Sequence, residues 1–290
     1  MNPTPAPNPA RDPKPNPAPN PNPTRNPVAP HTAAAPTRAT TAHNSTAPLH
    51  PILAEGRALI LVPARNEEGA IGGVADEVHA LFPHVPILVV DDGSHDSTAA
   101  IAKRHGARVL RLPHHLGLGG ALQAGYRLAF ELGFEYVVRI DGDGQHDPAY
   151  IPAMIDAVSQ PGVHMVIGSR FVESNEGFTS FFRGLGIRLF RAFLRPILGK
   201  TVRDPTSGFV AVSREALEVF SKSFPLEYPE IEALVVLRRR AFQFVEVPVS
   251  IRPRRTGRST ITAVKSIYYL VHVMLGVLVN ILIFDRRRWR

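Results

Sequence analysis

From Ala58 onward the chain alternates short apolar runs with longer stretches in which apolar residues return every three or four positions. The runs ALILVP (58–63), PILVVD (86–91), RVLRL (108–112), EYVVRI (135–140) and HMVIG (164–168) read as buried strands. The stretches between them, roughly 67–82, 97–106, 118–132 and 148–159, each carry one apolar face and predict helices. Strand and helix in alternation predict an α/β domain, an open and mostly parallel sheet with helices on both faces. Further on, GFVAV (208–212) predicts another strand, with helices near 213–221 and 229–240. The run FVEVPVSI (244–251) alternates and contains Pro248, which cannot donate to a ladder, so it suits an edge strand.

The first fifty of the 290 residues are a different material. They repeat Asn-Pro and Ala-Pro and hold 14 of the 28 prolines, with too little apolar mass to offset the entropy of ordering. That predicts a disordered tail of polyproline-II character over 1–50, with a docking peptide for a proline-binding partner as the functional alternative. It lacks the continuous apolar core of a signal peptide. The chain has no cysteine, which excludes disulfides, thiolate metal ligands and a cysteine nucleophile. Its net charge of +8 conceals an asymmetry, since residues 51–177 carry −7 and residues 178–290 carry +12. An acidic half beside a basic half points to a metal site near an anionic ligand or surface. Nucleic acid is not the expected anion, because the sequence has no nucleic-acid motif and no basic patch interleaved with stacking aromatics.

In sheets of this kind ligands bind beyond the carboxyl ends of the strands. Three predicted strands end in polar signatures: VPARNEE (62–68), DDGSHDST (91–98) and DGDGQHD (141–147). The last places Asp141, Asp143 and Asp147 within seven positions. A calcium loop needs an oxygen ligand at its fifth position, glycine at the sixth and glutamate at the twelfth. Here those positions hold Gln145, His146 and Pro152, so that reading fails. Asp147, followed by Pro148, fits a helix cap. Capping leaves Asp141 and Asp143 unexplained. A divalent cation would offset their repulsion, with Gln145 as a neutral oxygen ligand. Mg2+ or Mn2+ matches hard carboxylate oxygens and keeps positions open for phosphate. In DDGSHDST, Asp91 has a structural reading, and Asp92 a ligand one, towards ring nitrogens or ribose hydroxyls; Ser94 or Asp96 suits a cap for the next helix. Glu67 fits equally a first-turn helix acid or a ribose ligand.

Taken together and in this order, VPARNEE, DDGSHDST, LGLGGALQAGYRLA (116–129), DGDGQHDP, GSRF (168–171) and DPTSGF (204–209) resemble the family-2 inverting glycosyltransferases of the GT-A fold. Within that family they look most like the dolichol-phosphate mannose synthase-like bacterial branch. The resemblance covers about residues 57–262 and implies a Rossmann-like GT-A domain there, a donor of the GDP-mannose or UDP-glucose type, and Mg2+ or Mn2+. It further implies that Pro63, Arg65 and Glu67 line the nucleotide pocket and that Asp92 contacts the base. Asp141 and Asp143 would be the metal-holding pair, with Gln145 beside them on the metal and Gly142 between them among the donor-binding positions. Arg170 would face the sugar diphosphate, Arg254 of RPRRTGRST (252–260) would bind the nucleotide's phosphates, and Asp204 would lie near the acceptor. The expected catalytic residues are Asp143, Arg170, Asp204 and Glu232, with Asp204 or Glu232 as general base if the acceptor is a hydroxyl. Two positions depart from the family's habit. His115 stands where asparagine is common, and Thr260 where lysine is common, with Arg258 as the stand-in.

The choice of acceptor turns on two hydrophobic segments. FTSFFRGLGIRLFRAFLRPILGK (178–200) mixes Phe178, Phe181, Phe182, Phe190, Phe193 and Leu194 with Arg183, Arg188, Arg191 and Arg195. That mixture suits a helix at an anionic membrane surface; a helix packed on the sheet with an arginine-rich outer face is the other reading. SIYYLVHVMLGVLVNILIF (266–284) is 19 residues without a formal charge, near the ~20 needed to span a bilayer. Basic clusters on both sides, RPRRTGRST with Lys265 before it and RRRWR after it, oppose a single crossing. The expectation for 263–290 is a membrane-associated helix, interfacial, re-entrant or paired with a small membrane-protein partner, at the cytoplasmic face of the cell membrane. The leading function is sugar transfer to polyprenyl phosphate, an acceptor already anionic and needing no base. The alternatives are the same donor chemistry on a saccharide or lipid-linked sugar hydroxyl in cell-envelope polysaccharide synthesis, and a non-catalytic nucleotide-sugar-binding membrane scaffold.

Overall fold

The structure, a computed structural model, describes residues 50–171, 181–252 and 274–276. The proline-rich tail up to residue 49, Phe178, Arg254, Arg258, Thr260 and all but three residues of the 266–284 run lie outside the described residues. So do the side chains of Phe181, Phe182, Arg183 and Arg188.

Seven strands build one sheet: β1 (Ala58–Ala64), β2 (Ile87–Asp91), β3 (Arg108–Arg111), β4 (Tyr136–Arg139), β5 (Val163–Ser169), β6 (Val210–Ser213) and β7 (Gln243–Pro248). Their order is β3-β2-β1-β4-β6-β5-β7, and every pairing is parallel except the two made by β6. Helices α1 (Pro51–Ala54), α2 (Ile71–Leu81), α3 (Thr98–Arg104) and α5 (Ile151–Val158) supply the core on one face. Helices α4 (Gly117–Glu131), α6 (Phe181–Leu198), α7 (Arg214–Lys222) and α8 (Pro229–Arg239) supply it on the other. β1 shows why both faces need cover. Leu59 and Leu61 enter one core, while Ala58, Ile60 and Val62 enter the other, as the unbroken apolar pattern of a central parallel strand requires. Each such leucine or isoleucine contributes about 1.5–3 kcal/mol by leaving water.

Three local expectations are corrected or sharpened, and one element is new. RVLRL is an edge strand rather than a buried one, with Val109 and Leu110 half-buried and Arg108 and Arg111 exposed, an arrangement that discourages pairing with other chains. The helix expected from residue 67 starts at Ile71, so Glu67 precedes it in a turn. A short helix, α1, precedes β1, with His50 capping it through Nδ1 and Ile52 and Leu53 buried. In α6 the stripe Phe190, Leu194 and Leu198 is buried in the core with Phe193 and Ile197 beside it. The described half of that helix thus turns its apolar face to the protein, the packed-helix reading, with Arg195 outside. FVEVPVSI does form the opposite edge, its Pro248 at the end of β7. No helix among the described residues is long and apolar enough to cross a membrane. Of the C-terminal run, Met274 packs against the core that α4, α6, α7 and α8 cover, and a Cβ on Gly276 would lie 2.6 Å from the Tyr228 ring.

Strand direction gathers the polar signatures. Ala64 pairs with Asp91 and Leu61 with Arg139, so the carboxyl ends of β1, β2 and β4 share a rim. Because β6 runs the other way, its first residue, Val210, lies beside Arg139 of β4 and Ile167 near the end of β5. That reversal brings DPTSGF to the same rim as GSRF and DGDGQHD.

Candidate active site

The loops after β1 and β2 are latched by side chains that bond backbone across the gap. Asn66 N–H donates to Ser94 Oγ at 3.0 Å, Glu67 N–H to Thr98 Oγ1 at 2.8 Å and Glu68 N–H to Asp96 Oδ2 at 3.2 Å. In return His95 N–H donates to Asn66 Oδ1 at 3.0 Å and Ser97 N–H to Glu68 Oε2 at 2.9 Å. Asp96 also accepts from the Thr98 hydroxyl and N–H, which caps α3. Partial burial is the largest influence on Asp96 and raises its pKa, but these hydrogen bonds more than offset it and hold the carboxyl below its usual range. Asn66 takes a positive φ of 54° to make the turn, a conformation asparagine tolerates.

Asp92, buried, faces the start of α4. Its Oδ1 accepts from Leu116 N–H at 2.6 Å and its Oδ2 from Gly117 N–H at 3.0 Å. Oδ2 also lies 2.6 Å from His115 Nδ1, whose partner nitrogen Nε2 lies 2.8 Å from Arg65 Nη1. In this geometry the carboxylate anchors α4 and His115, where the sequence pointed to a nucleobase contact.

At the end of β4, Asp141 and Asp143 stand two residues apart, and Asp143 is only 7% exposed. Asp141 N–H donates to His146 Nδ1 at 3.0 Å, and Gln145 N–H donates to Asp143 Oδ1 at 3.0 Å. Burial pushes the His146 pKa down, with Asp141 opposing, which keeps that ring neutral and able to accept. Gly142 abuts β1, where a Cβ would lie 3.4 Å from the carbonyl of Pro63. Gln145 Nε2 donates to the carbonyl of Arg252 at 3.3 Å, and Arg252 N–H to that of Gln145 at 2.9 Å, so the basic run from residue 252 starts against this loop. Asp147 caps the short 3-10 turn Pro148–Tyr150 through Ala149 N–H and pairs with Arg252 at 2.8 Å. No group of three or more His, Asp or Glu side chains is gathered in metal-holding geometry among the described residues. The donor set nevertheless fits a hard divalent cation, since two carboxylates and an amide share one loop.

Sequence reasoning missed what surrounds these aspartates. Arg139, 4% exposed, reaches Asp141 Oδ1 at 3.3 Å and Glu230 Oε1 of α8 at 2.9 Å. Burial works against its charge, and the two carboxylates more than offset it. Gly208 leaves room for this pair: a Cβ there would lie 2.6 Å from Asp141 Oδ2. The only sequence signal was a charged residue inside the apolar run EYVVRI.

Arg170 and Asp204 meet as a bidentate pair, Nε to Oδ2 at 2.7 Å and Nη2 to Oδ1 at 2.8 Å, with Arg170 N–H adding a third bond at 3.1 Å. Asp204 is 1% exposed. Glu246 of β7 accepts from the N–H groups of Arg203 and Asp204, pinning their loop. Arg191 of α6 donates to the carbonyl of Arg203 and lies 5.2 Å from the Phe171 ring, with Arg170 at 5.3 Å from the same ring. The two residues expected as general base are placed differently. Both carboxylate oxygens of Asp204 are engaged by Arg170, which gives Asp204 the job of fixing that guanidinium. Glu232 is buried on α8 two residues from Glu230; residues at that spacing point about 200° apart. Glu230 reaches Arg139 at 2.9 Å.

Comparison with known proteins agrees with this geometry. The model of glycosyl transferase family 2 matches residues 59–220. The polyprenol monophosphomannose synthase of Mycolicibacterium smegmatis is 32% identical over 216 residues, covering 70% of this chain and 80% of that protein. The undecaprenyl-phosphate mannosyltransferase of Micrococcus luteus is 29% identical, covering 70% and 86%. Among solved structures, glucosyl-3-phosphoglycerate synthase from Mycobacterium tuberculosis, in complex with Mn2+, UDP-glucose and phosphoglyceric acid, superposes with a TM-score of 0.61 at 26% identity over 80% of this chain and 81% of that one. The α/β fold is GT-A-like, the matched range contains every strand-end signature that lines the rim, and the chain belongs to glycosyl transferase family 2.

Proposed function

We propose that this glycosyltransferase moves a sugar, with inversion, from a nucleotide-sugar donor to a polyprenyl phosphate at the cytoplasmic face of a membrane, associated there peripherally or through its C-terminal segment. The observation that carries the choice of acceptor is the commitment of Asp204 to Arg170. An acceptor hydroxyl needs a base to take its proton, whereas an acceptor phosphate is already an anion. The relatives named for polyprenol and undecaprenyl phosphate support the same choice.

In this reading an oxygen of the acceptor phosphate attacks the anomeric carbon, the bond from that carbon to the nucleoside diphosphate breaks, and the electron pair leaves with the diphosphate. Pro63, Arg65, Glu67 and Gly142 line the donor nucleotide, while Asp92 supports the pocket from behind. Asp141, Asp143 and Gln145 would hold Mg2+ or Mn2+, which when bound supplies Lewis-acid stabilisation of the departing diphosphate. Arg170 directs fixed positive charge at the same place, held in advance by Asp204 so that no reorientation is needed as charge develops. Arg254 and Arg258 are assigned to the donor phosphates. The donor is a GDP-mannose or UDP-glucose type.

The test uses full-length protein in detergent with Mn2+ or Mg2+, labelled GDP-mannose and UDP-glucose, and polyprenyl phosphate. Label should enter the organic phase with one donor, and Asp143→Ala should abolish it while the protein stays folded. Label appearing only in saccharide or phosphoglycerate acceptors would transfer the case to hydroxyl chemistry. Near-normal turnover of Asp143→Ala with Mn2+ would refute the metal assignment.

A further inference from the structure

We propose that His115 is a positioning residue that aims Arg65 at the donor nucleotide through its Nε2. Arg65 Nη1 lies 2.8 Å from Nε2, and Asp92 Oδ2 lies 2.6 Å from Nδ1. A guanidinium has only donors, so Nε2 accepts, the ring proton sits on Nδ1 and Asp92 takes the hydrogen bond from it. Both nitrogens are thereby assigned by their partners. Asp92 is itself fixed by the N–H groups of Leu116 and Gly117 at the start of α4. Gly93, at φ +67°, lets the backbone pass close by, for a Cβ there would lie 3.0 Å from His115 N. The chain of support runs from α4 through a buried carboxylate to an imidazole and ends on an exposed arginine of the β1 loop.

An exposed arginine is otherwise free to sample many rotamers, and fixing it on binding costs affinity; holding it beforehand removes that cost. Histidine suits the task because its two nitrogens lie on different sides of a rigid ring, so one binds the buried acid while the other grips the cation.

The inference rests on the placement of Arg65 beside the donor, and the test separates the two. The readout is calorimetric affinity of the full-length protein for GDP and for UDP in the presence of Mn2+, with thermal unfolding as the check on folding. Arg65→Ala should weaken binding of the preferred diphosphate roughly tenfold. His115→Phe should weaken it by a similar factor, and the double variant by no more than either alone, since both remove one interaction. His115→Gln places an amide oxygen near the position of Nε2 and should restore affinity to within about twofold of the unaltered protein. His115→Asn reaches only the position of Nδ1 and should stay weak. Equal affinity in the Asn variant and the unaltered protein, or losses that multiply in the double variant, would overturn the proposal. Weak binding by Arg65→Ala with normal binding by His115→Phe sinks the positioning role alone. Normal binding by Arg65→Ala, or no binding of either diphosphate by the unaltered protein, removes the donor-site reading and this inference with it.

Discussion

Gly208→Ala isolates the geometry of the aspartate pair from the stability of the fold. A Cβ at 208 would lie 2.6 Å from Asp141 Oδ2, 2.9 Å from Oδ1 and 3.1 Å from Arg139 Nη2. An ordinary carbon-to-oxygen contact is about 3.3 Å or more, so the carboxylate has to retreat by roughly 0.7 Å. It is able to do so, since the Asp141 side chain is 36% exposed and its end is not backbone. Gly208 shows no positive φ, so alanine brings no backbone strain and itself stabilises by about 0.4–1 kcal/mol through the unfolded chain. That gain and the modest repacking nearly cancel. With about 2–4 °C per kcal/mol for a domain of this size, the melting temperature should move by less than about 4 °C. Turnover is far more sensitive, because a displacement near 1 Å at a reacting centre costs about a hundredfold. The measurements are sugar-transfer rate, Mn2+ affinity and thermal unfolding on the same preparation. Unchanged rate and Mn2+ affinity would refute the claim that this glycine exists to seat Asp141. A fall of more than about 10 °C in melting temperature would show instead that it serves core packing.

Two further outcomes follow from the ion pairs and latches. Glu230→Ala removes one carboxylate from Arg139, which is 4% exposed, and should cost about 3 kcal/mol, while Arg139→Met with Glu230→Leu should recover most of that loss; denaturant unfolding decides, and a double variant no more stable than the single one rejects the account. Asp96 has a folded pKa held below its ordinary 3.8, so its contribution is complete above that value and lost as pH falls through the lower folded one. Asp96→Asn should therefore be less stable at neutral pH and lose less on acidification below about pH 4; parallel melting curves against pH would contradict it.

The alternation of apolar runs was enough to place the α/β fold, because each element's period reports how many of its faces are covered. The direction of β6 was not legible. VAVS reads the same in either direction, and only the position of its neighbours Arg139 and Ile167 reveals the reversal that brings DPTSGF to the rim. The polar signatures were legible as a set, but their division of labour was not. Ser94 and Asp96 looked interchangeable as caps. In the structure Asp96 holds Thr98 N–H at the start of α3, while Ser94 receives Asn66 N–H and Asp96 receives Glu68 N–H, two contacts that exist only because β1 and β2 are adjacent. The stripe 190, 194 and 198 fits a membrane surface or a protein core equally, since periodicity says which side is apolar and nothing about what lies opposite.

The described cations at the rim share one construction. Arg139 is backed by Glu230 of α8, Arg170 by Asp204, and Arg65 by His115 and, through it, Asp92. The Arg139 and Arg170 pairs are weak arguments for stability, because the cost of taking both charges out of water consumes most of their attraction. Their value lies in direction. A diphosphate leaving a sugar concentrates negative charge within a few bonds, and a guanidinium already fixed where that charge appears stabilises it without waiting for a side chain to reorient. The carboxylates behind the arginines supply that fixity. The proposed anionic acceptor suits a rim built in this way, where Asp204 and, through His115, Asp92 are occupied in holding cations in place.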